Sequence, residues 1–120
     1  MDNVLDQSVL DELMSFAAEG DPDLMLDLIN MFLEDSPSKV AAIQAGLAVG
    51  DFEQVERAAH SLKGSSGNLG AHLVHDICEK LQQSTRKQQL AASRRLVPVL
   101  TENYSAAEQA LKKILGEYTN

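Results

Sequence analysis

Apolar residues recur along this chain at intervals of three and four, interrupted at a few points by Gly, Pro, Asp and Ser, and that rhythm predicts successive amphipathic helices. A first helix, capped by Asp6 or Ser8, carries Val9, Leu10, Leu13, Met14, Phe16 and Ala17 to a stop at Gly20-Asp21-Pro22. Asp21 as N-cap and Pro22 in the first helical position open a second, with Leu24, Met25, Leu28, Ile29, Phe32 and Leu33. Ser36-Pro37 repeats the signal. A third helix then starts at Pro37 and runs through Val40, Ile43, Leu47 and Val49 to Gly50, unless the second and third are one helix bent at Pro37.

Gly50-Asp51 joins a glycine suited to a left-handed C-cap to a good N-cap residue, and Gln54 has the spacing to complete a capping box. A fourth helix therefore begins at Phe52. On its wheel Val55, Ala58, Ala59, Leu62, Ser66 and Leu69 share one side, the expected buried face, and Asn68 and Gly70 mark its end. A fifth helix from about Ala71 carries Leu73, Val74, Ile77, Cys78 and Leu81 inward, and residues 84–87 break it. The last helix covers residues 88–115, with Leu90, Val97, Tyr104 and Leu111 at seven-residue spacing beside Leu100, Ala107, Ile114 and Leu115. An interior proline costs about 3 kcal/mol, so Pro98 predicts a kink or break near residues 94–98. Four of these helices are successive and joined by short turns. The expected fold is all-α: an antiparallel four-helix bundle over residues 37–117 of a single domain, with one or two short N-terminal helices in residues 1–35 as a cap.

Composition agrees with helices and adds limits. Of the 120 residues 44% are apolar, tryptophan is absent, and one core of the size available to such a chain needs no staple. The single cysteine, Cys78, has no internal disulfide partner, and no run resembles a signal peptide or a membrane span, which places the chain in the cytoplasm. A net charge of -8 argues against nucleic acid or an anionic membrane as partner, since both draw on clustered Lys and Arg.

The candidate chemistry lies on the fourth helix. His60 points about 140° away from Val55, off the apolar stripe and into water. On its own face one and two turns further stand Gly64 and Gly67. Glycine in a helix costs about 1 kcal/mol relative to alanine, and what it supplies here is clearance for another protein's backbone or a phosphoryl group. Lys63, three residues after His60, is a surface neighbour whose ammonium can meet anionic oxygens at the ring. An imidazole with an ordinary pKa of about 6.5 is largely neutral in the cytoplasm and offers a lone pair without a dedicated base. No Walker motif or kinase-type glycine loop is present, so ATP chemistry is not expected.

The run HSLKGSSGNLGA from His60, followed by LVHDICEKLQ, resembles the signature of histidine-containing phosphotransfer (HPt) domains, the relay modules of two-component signalling. The resemblance implies that His60 accepts a phosphoryl group from a phospho-aspartate on a receiver domain and passes it to another receiver. It also implies that Lys63 stabilises the phosphoryl oxygens, that Gly64 leaves room for the receiver, and that Gln82, twenty-two residues after the histidine, hydrogen-bonds the ring from the edge of the fifth helix's apolar stripe. Expected partners are response-regulator receivers and a hybrid sensor histidine kinase. No intrinsic cofactor is expected, and any Mg²⁺ would be held by the receiver. The protein itself is expected to be a phosphocarrier and a monomer. Both a free-standing protein and an excised domain of a hybrid kinase fit the sequence, Met1 and the capped ends favouring the first.

Simpler readings stand beside these. A surface histidine is most often only solvated, and it is Lys63, Gly64 and Gly67 that change its meaning. His72, His75, Cys78 and Glu79 have helical spacings that could ligate a metal, but Cys78 belongs to the buried stripe and one helix rarely closes a coordination shell, so no metal site is expected. Met14, Met25 and Met31 read as core or cap residues. The alternative function is a module that docks on receivers without transferring phosphate; the presence of His60 argues against it.

Overall fold

The computed structural model describes residues 4–15 and 21–118. Five helices follow in order: α1 (Gln7–Ser15), α2 (Asp23–Val49), α3 (Phe52–Asn68), α4 (His72–Arg86) and α5 (Leu90–Tyr118). The long helices α2 to α5 form an antiparallel four-helix bundle in which each packs on its two neighbours and α5 returns to α2. The expected Phe16, Ala17 and Gly20 lie outside the described residues.

Residues 23–49 form a single helix, with Pro22, expected in its first position, as its N-cap in place of Asp21. Pro37 and Pro98 both sit inside continuous helices, so neither the separate start at Pro37 nor a break near Pro98 is present. Both rings are exposed, and a carbonyl deprived of its donor on that side can be met by water. Residue 37 is consequently no element boundary between cap and bundle; α1 alone is a separate short helix at the N-terminal end. It is seated by the Asp6 amide, which donates to the Gly70 carbonyl at 2.7 Å.

The turns are cheap because the sequence places the right residues in them. Gly50 takes φ 73°, the left-handed cap that glycine adopts without strain. Asp51 Oδ1 accepts from the Gln54 amide at 3.1 Å, but the Gln54 side chain donates to the Ala42 carbonyl on α2 instead of closing a capping box. Arg94 of α5 donates to the Leu47 carbonyl at 2.9 Å, satisfying an end group of α2 with a cation at its negative pole. Between α4 and α5, Gln88 has φ 54°, which delays the start of α5 to Leu90.

The core contains Ile29, Phe32, Ile43, Leu47, Val55, Leu62, Val74, Ile77, Leu81, Leu100 and Leu111. Removing one such Leu side chain typically costs about 2 to 5 kcal/mol. Two buried polar pairs are built into it, Ser36 with Tyr104 at 2.7 Å and Ser84 with Ser93 at 2.5 Å. Leu24 and Val49, expected on apolar stripes, and Met31, expected as a core or cap residue, are instead exposed, and Leu73 is only half-buried. Leu24 and Val49 lie at the two ends of the 27-residue α2, where the stripe of a long helix drifts off its neighbours, and Met31 lines the groove between α2 and α3.

Candidate functional site

Helices α3 and α4 face each other along a polar seam with a constant antiparallel register. Glu56 of α3 meets Arg86 of α4, with Arg86 Nε donating to Glu56 Oε1 at 2.9 Å. One turn on, Gln82 Nε2 donates to His60 Nδ1 at 3.3 Å. Next, Lys63 Nζ donates to Glu79 Oε1 at 2.8 Å. Last, the space above Gly67 is taken by His75, whose Cδ2 would stand 3.2 Å from an added Cβ. Steps of four, three and four residues forward on α3 are matched by the same steps backward on α4, which keeps the four pairs on one seam.

His60 is exposed at mid-helix, as its position off the apolar stripe predicts. Its Nδ1 faces the seam, so Nε2 is the ring nitrogen left toward solvent. Around it the expectations divide. Gly64 has nothing within 4 Å of an added Cβ, so the surface beside the imidazole is open. Gly67 does not extend that opening: its missing side chain makes room for His75, a packing requirement within the protein. Lys63 is held across the seam by Glu79, its side chain only 25% exposed. That hydrogen bond and the nearby charge keep the Glu79 carboxyl below its usual range.

Gln82 is brought to His60, but it is not an edge residue. It is completely buried, and its Oε1 has no hydrogen-bond partner. Its Nε2 also reaches Glu56 Oε1 at 3.5 Å, the outer limit of a hydrogen bond. The amide thus sits between a carboxylate and the imidazole with its donor end aimed at both.

The possible metal ligands on α4 are dispersed. Cys78 is fully buried, its thiol pushed up to about 12 by burial, while Glu79 takes Lys63 and His75 Nδ1 lies 3.0 Å from Asp76. Among the described residues no group of three or more His, Cys, Asp and Glu side chains is placed to hold a metal ion.

The family described as the Hpt domain matches residues 27–110, which contain the whole seam. The chain belongs to the Hpt domain family. This Hpt domain is 26% identical to Histidine-containing phosphotransfer protein 1 of Arabidopsis thaliana, over 95% of its own length and 75% of that protein. It is 31% identical to the sensory/regulatory protein RpfC of Xanthomonas campestris pv. campestris over 92% of its length, a match that occupies 15% of that protein. Its fold superposes on the crystal structure of histidine-containing phosphotransfer protein B (HptB) from Pseudomonas aeruginosa PAO1 with a TM-score of 0.88 at 27% identity, covering 98% of this chain and 99% of that one. Its function is that of a phosphorelay intermediate in histidine phosphotransfer.

Four members of the Hpt domain's seam were not found as site residues from sequence: Glu56, Arg86, Glu79 as the partner of Lys63, and His75 as the residue over Gly67. A signal existed. Glu56, His60, Lys63 and Gly67 repeat in reverse spacing as His75, Glu79, Gln82 and Arg86, three polar side chains and a gap against four polar side chains, the pattern of two helices facing each other through a shared register. A groove of about 240 Å³ also opens on the α2 side of α3, where Leu28, Met31 and Phe32 face Ser65 and Asn68.

Proposed function

We propose that His60 is the phosphoryl carrier of this Hpt domain, accepting the group from a receiver aspartate and delivering it to another. The observation that carries the reading is the His60 ring itself, exposed beside the open surface of Gly64 and fixed from below by buried Gln82. In the step, a lone pair on Nε2 forms the N–P bond as the P–O bond to the aspartate breaks. The aspartate leaves as a carboxylate, and the ring, still carrying the proton on Nδ1, becomes cationic. Return transfer reverses both bonds.

Gln82 must follow that chemistry. With its Nε2 donating to Nδ1, the ring proton resides on Nε2, where the bond to phosphorus has to form. Turning the amide presents Oε1 to an Nδ1–H and frees Nε2 for attack. The unpartnered Oε1 supports this second orientation, because there it would gain the hydrogen bond it lacks.

Lys63 would stabilise the phosphoryl oxygens, and Gly64 would admit the receiver's backbone; the apolar groove at Met31, on the α2 side of α3 away from the seam, would extend the surface a receiver meets. Phosphoryl transfer of this kind rests on positioning and charge, and the acidic pocket with its Mg²⁺ belongs to the receiver in this reading. The domain would use no ATP and act as a monomer in the cytoplasm; no described helix is long and apolar enough to cross a membrane. Incubation with a phosphorylated receiver domain and Mg²⁺ tests the reading by the label left on His60.

A further inference from the structure

The two cations nearest His60 along the seam are both already held by carboxylates. Arg86 is bound to Glu56 and Lys63 to Glu79, at 2.9 and 2.8 Å. A phosphoryl group on His60 brings between one and two negative charges. It would draw on the Lys63 ammonium, whose head is held toward α4 by the 2.8 Å contact to Glu79 and whose charge Glu79 already neutralises. Glu79 is prepared for the loss, since its other oxygen, Oε2, accepts from Gln83 Nε2 at 2.9 Å. The carboxylate is half-exposed, so water can take the place that Lys63 leaves.

We propose that Glu79 is a positioning residue for the transfer: it holds Lys63 in the seam while His60 is unmodified and releases it to the phosphoryl oxygens afterwards. The inference rests on His60 as the phosphoryl carrier. Its consequence is energetic. Phosphorylation of His60 has to weaken or share the Lys63–Glu79 contact, so Glu79 keeps the phosphorylated state less favourable than Lys63 alone would make it. That suits a carrier, which has to give the group away. The depressed carboxyl of Glu79 is consistent with this, since the side chain stays a carboxylate at every pH where the relay would work.

The test uses the full chain with potassium phosphoramidate as donor, whose P–N bond breaks as the His60 N–P bond forms and ammonia leaves. The fraction of phosphohistidine at steady state and its lifetime after donor removal are read by ³¹P NMR for wild type, Glu79→Gln, Glu79→Asp, Lys63→Ala and the double variant Lys63→Ala/Glu79→Gln. Glu79→Gln is expected to raise both readings about two- to fivefold, the range for a partly exposed ion pair. Glu79→Asp, which restores the carboxylate, should return toward wild type, and Glu79→Gln should have no effect once Lys63 is alanine. An unchanged Glu79→Gln protein, or the same rise in the Lys63→Ala background, overturns the proposal. If His60 takes no label from phosphoramidate or from a phosphorylated receiver, the carrier reading itself fails and takes this proposal with it; a labelled His60 indifferent to Glu79 removes only the proposal.

Discussion

Nε2 of Gln82 lies 3.3 Å from Nδ1 of His60, and Gln82 is the one of the pair that is completely buried. An exposed imidazole is therefore aimed by a side chain that has no freedom to leave. The arrangement is costly, because Oε1 of the same amide is buried without a partner. Stability and function should separate at this position. Gln82→Leu is expected to unfold in urea at a concentration no lower than wild type, since it removes an unsatisfied polar group, while phosphoryl acceptance by His60 slows about fivefold for one lost hydrogen bond. A Gln82→Leu protein that is destabilised yet transfers normally would contradict this assignment.

The two glycines of the site should also part company. Gly64→Ala adds a Cβ in open space, so the helix gains up to about 1 kcal/mol of stability while receiver-dependent transfer falls. Gly67→Ala places its Cβ 3.2 Å from His75 Cδ2, so the stability gain should be smaller and the transfer rate close to wild type. Chemical melts and transfer rates on the same preparations distinguish clearance from packing.

The pH dependence of the seam follows from Glu79. The Lys63 hydrogen bond holds its carboxyl below the usual 4.5, so the folded state binds fewer protons there than the unfolded chain. The stabilisation is present in full above that ordinary value and is lost as pH falls through the depressed one. Urea midpoints of wild type and Glu79→Gln should differ at pH 6 and converge as the pH is taken below the ordinary carboxylate value and through the depressed one. A gap that stays constant to acid pH would mean that the pair does not contribute.

Much of this was readable in the chain. The Gly50-Asp51 turn, the face of α3 that carries Val55, Ala59 and Leu62, and the exposure of His60 all follow from local chemistry and helical spacing. What spacing cannot carry is the identity of the neighbour. A wheel places Lys63 near His60 on α3, yet Glu79 on α4 takes its ammonium, and only the packed register reveals it. The same is true of Gly67, whose missing side chain is explained by His75 across the seam. Pro37 misleads for a different reason: a proline favours the first turn because no intrahelical bond is lost there, yet on the exposed side of α2 water can meet the carbonyl it leaves without a donor, so the helix runs through it.

The core offers an independent check on α2 and α5 as continuous partners. Ser36 lies one residue before Pro37, and its hydroxyl meets Tyr104 at 2.7 Å deep in the bundle. Tyr104→Phe leaves Ser36 buried without that bond and should cost about 1 to 2 kcal/mol in denaturant melts. Adding Ser36→Ala should recover part of the loss, because both members of the pair are then apolar. Independent, additive losses would contradict a direct pair.

The central claim, that His60 carries the phosphoryl group, is tested most directly by incubating the full chain with a panel of phosphorylated receiver domains and Mg²⁺. The account predicts a label on the wild type that is acid-labile and alkali-stable, absent from His60→Gln, and returned to an unphosphorylated receiver on mixing. Receivers that bind the wild type without ever labelling it, or a label that persists in His60→Gln, would contradict it.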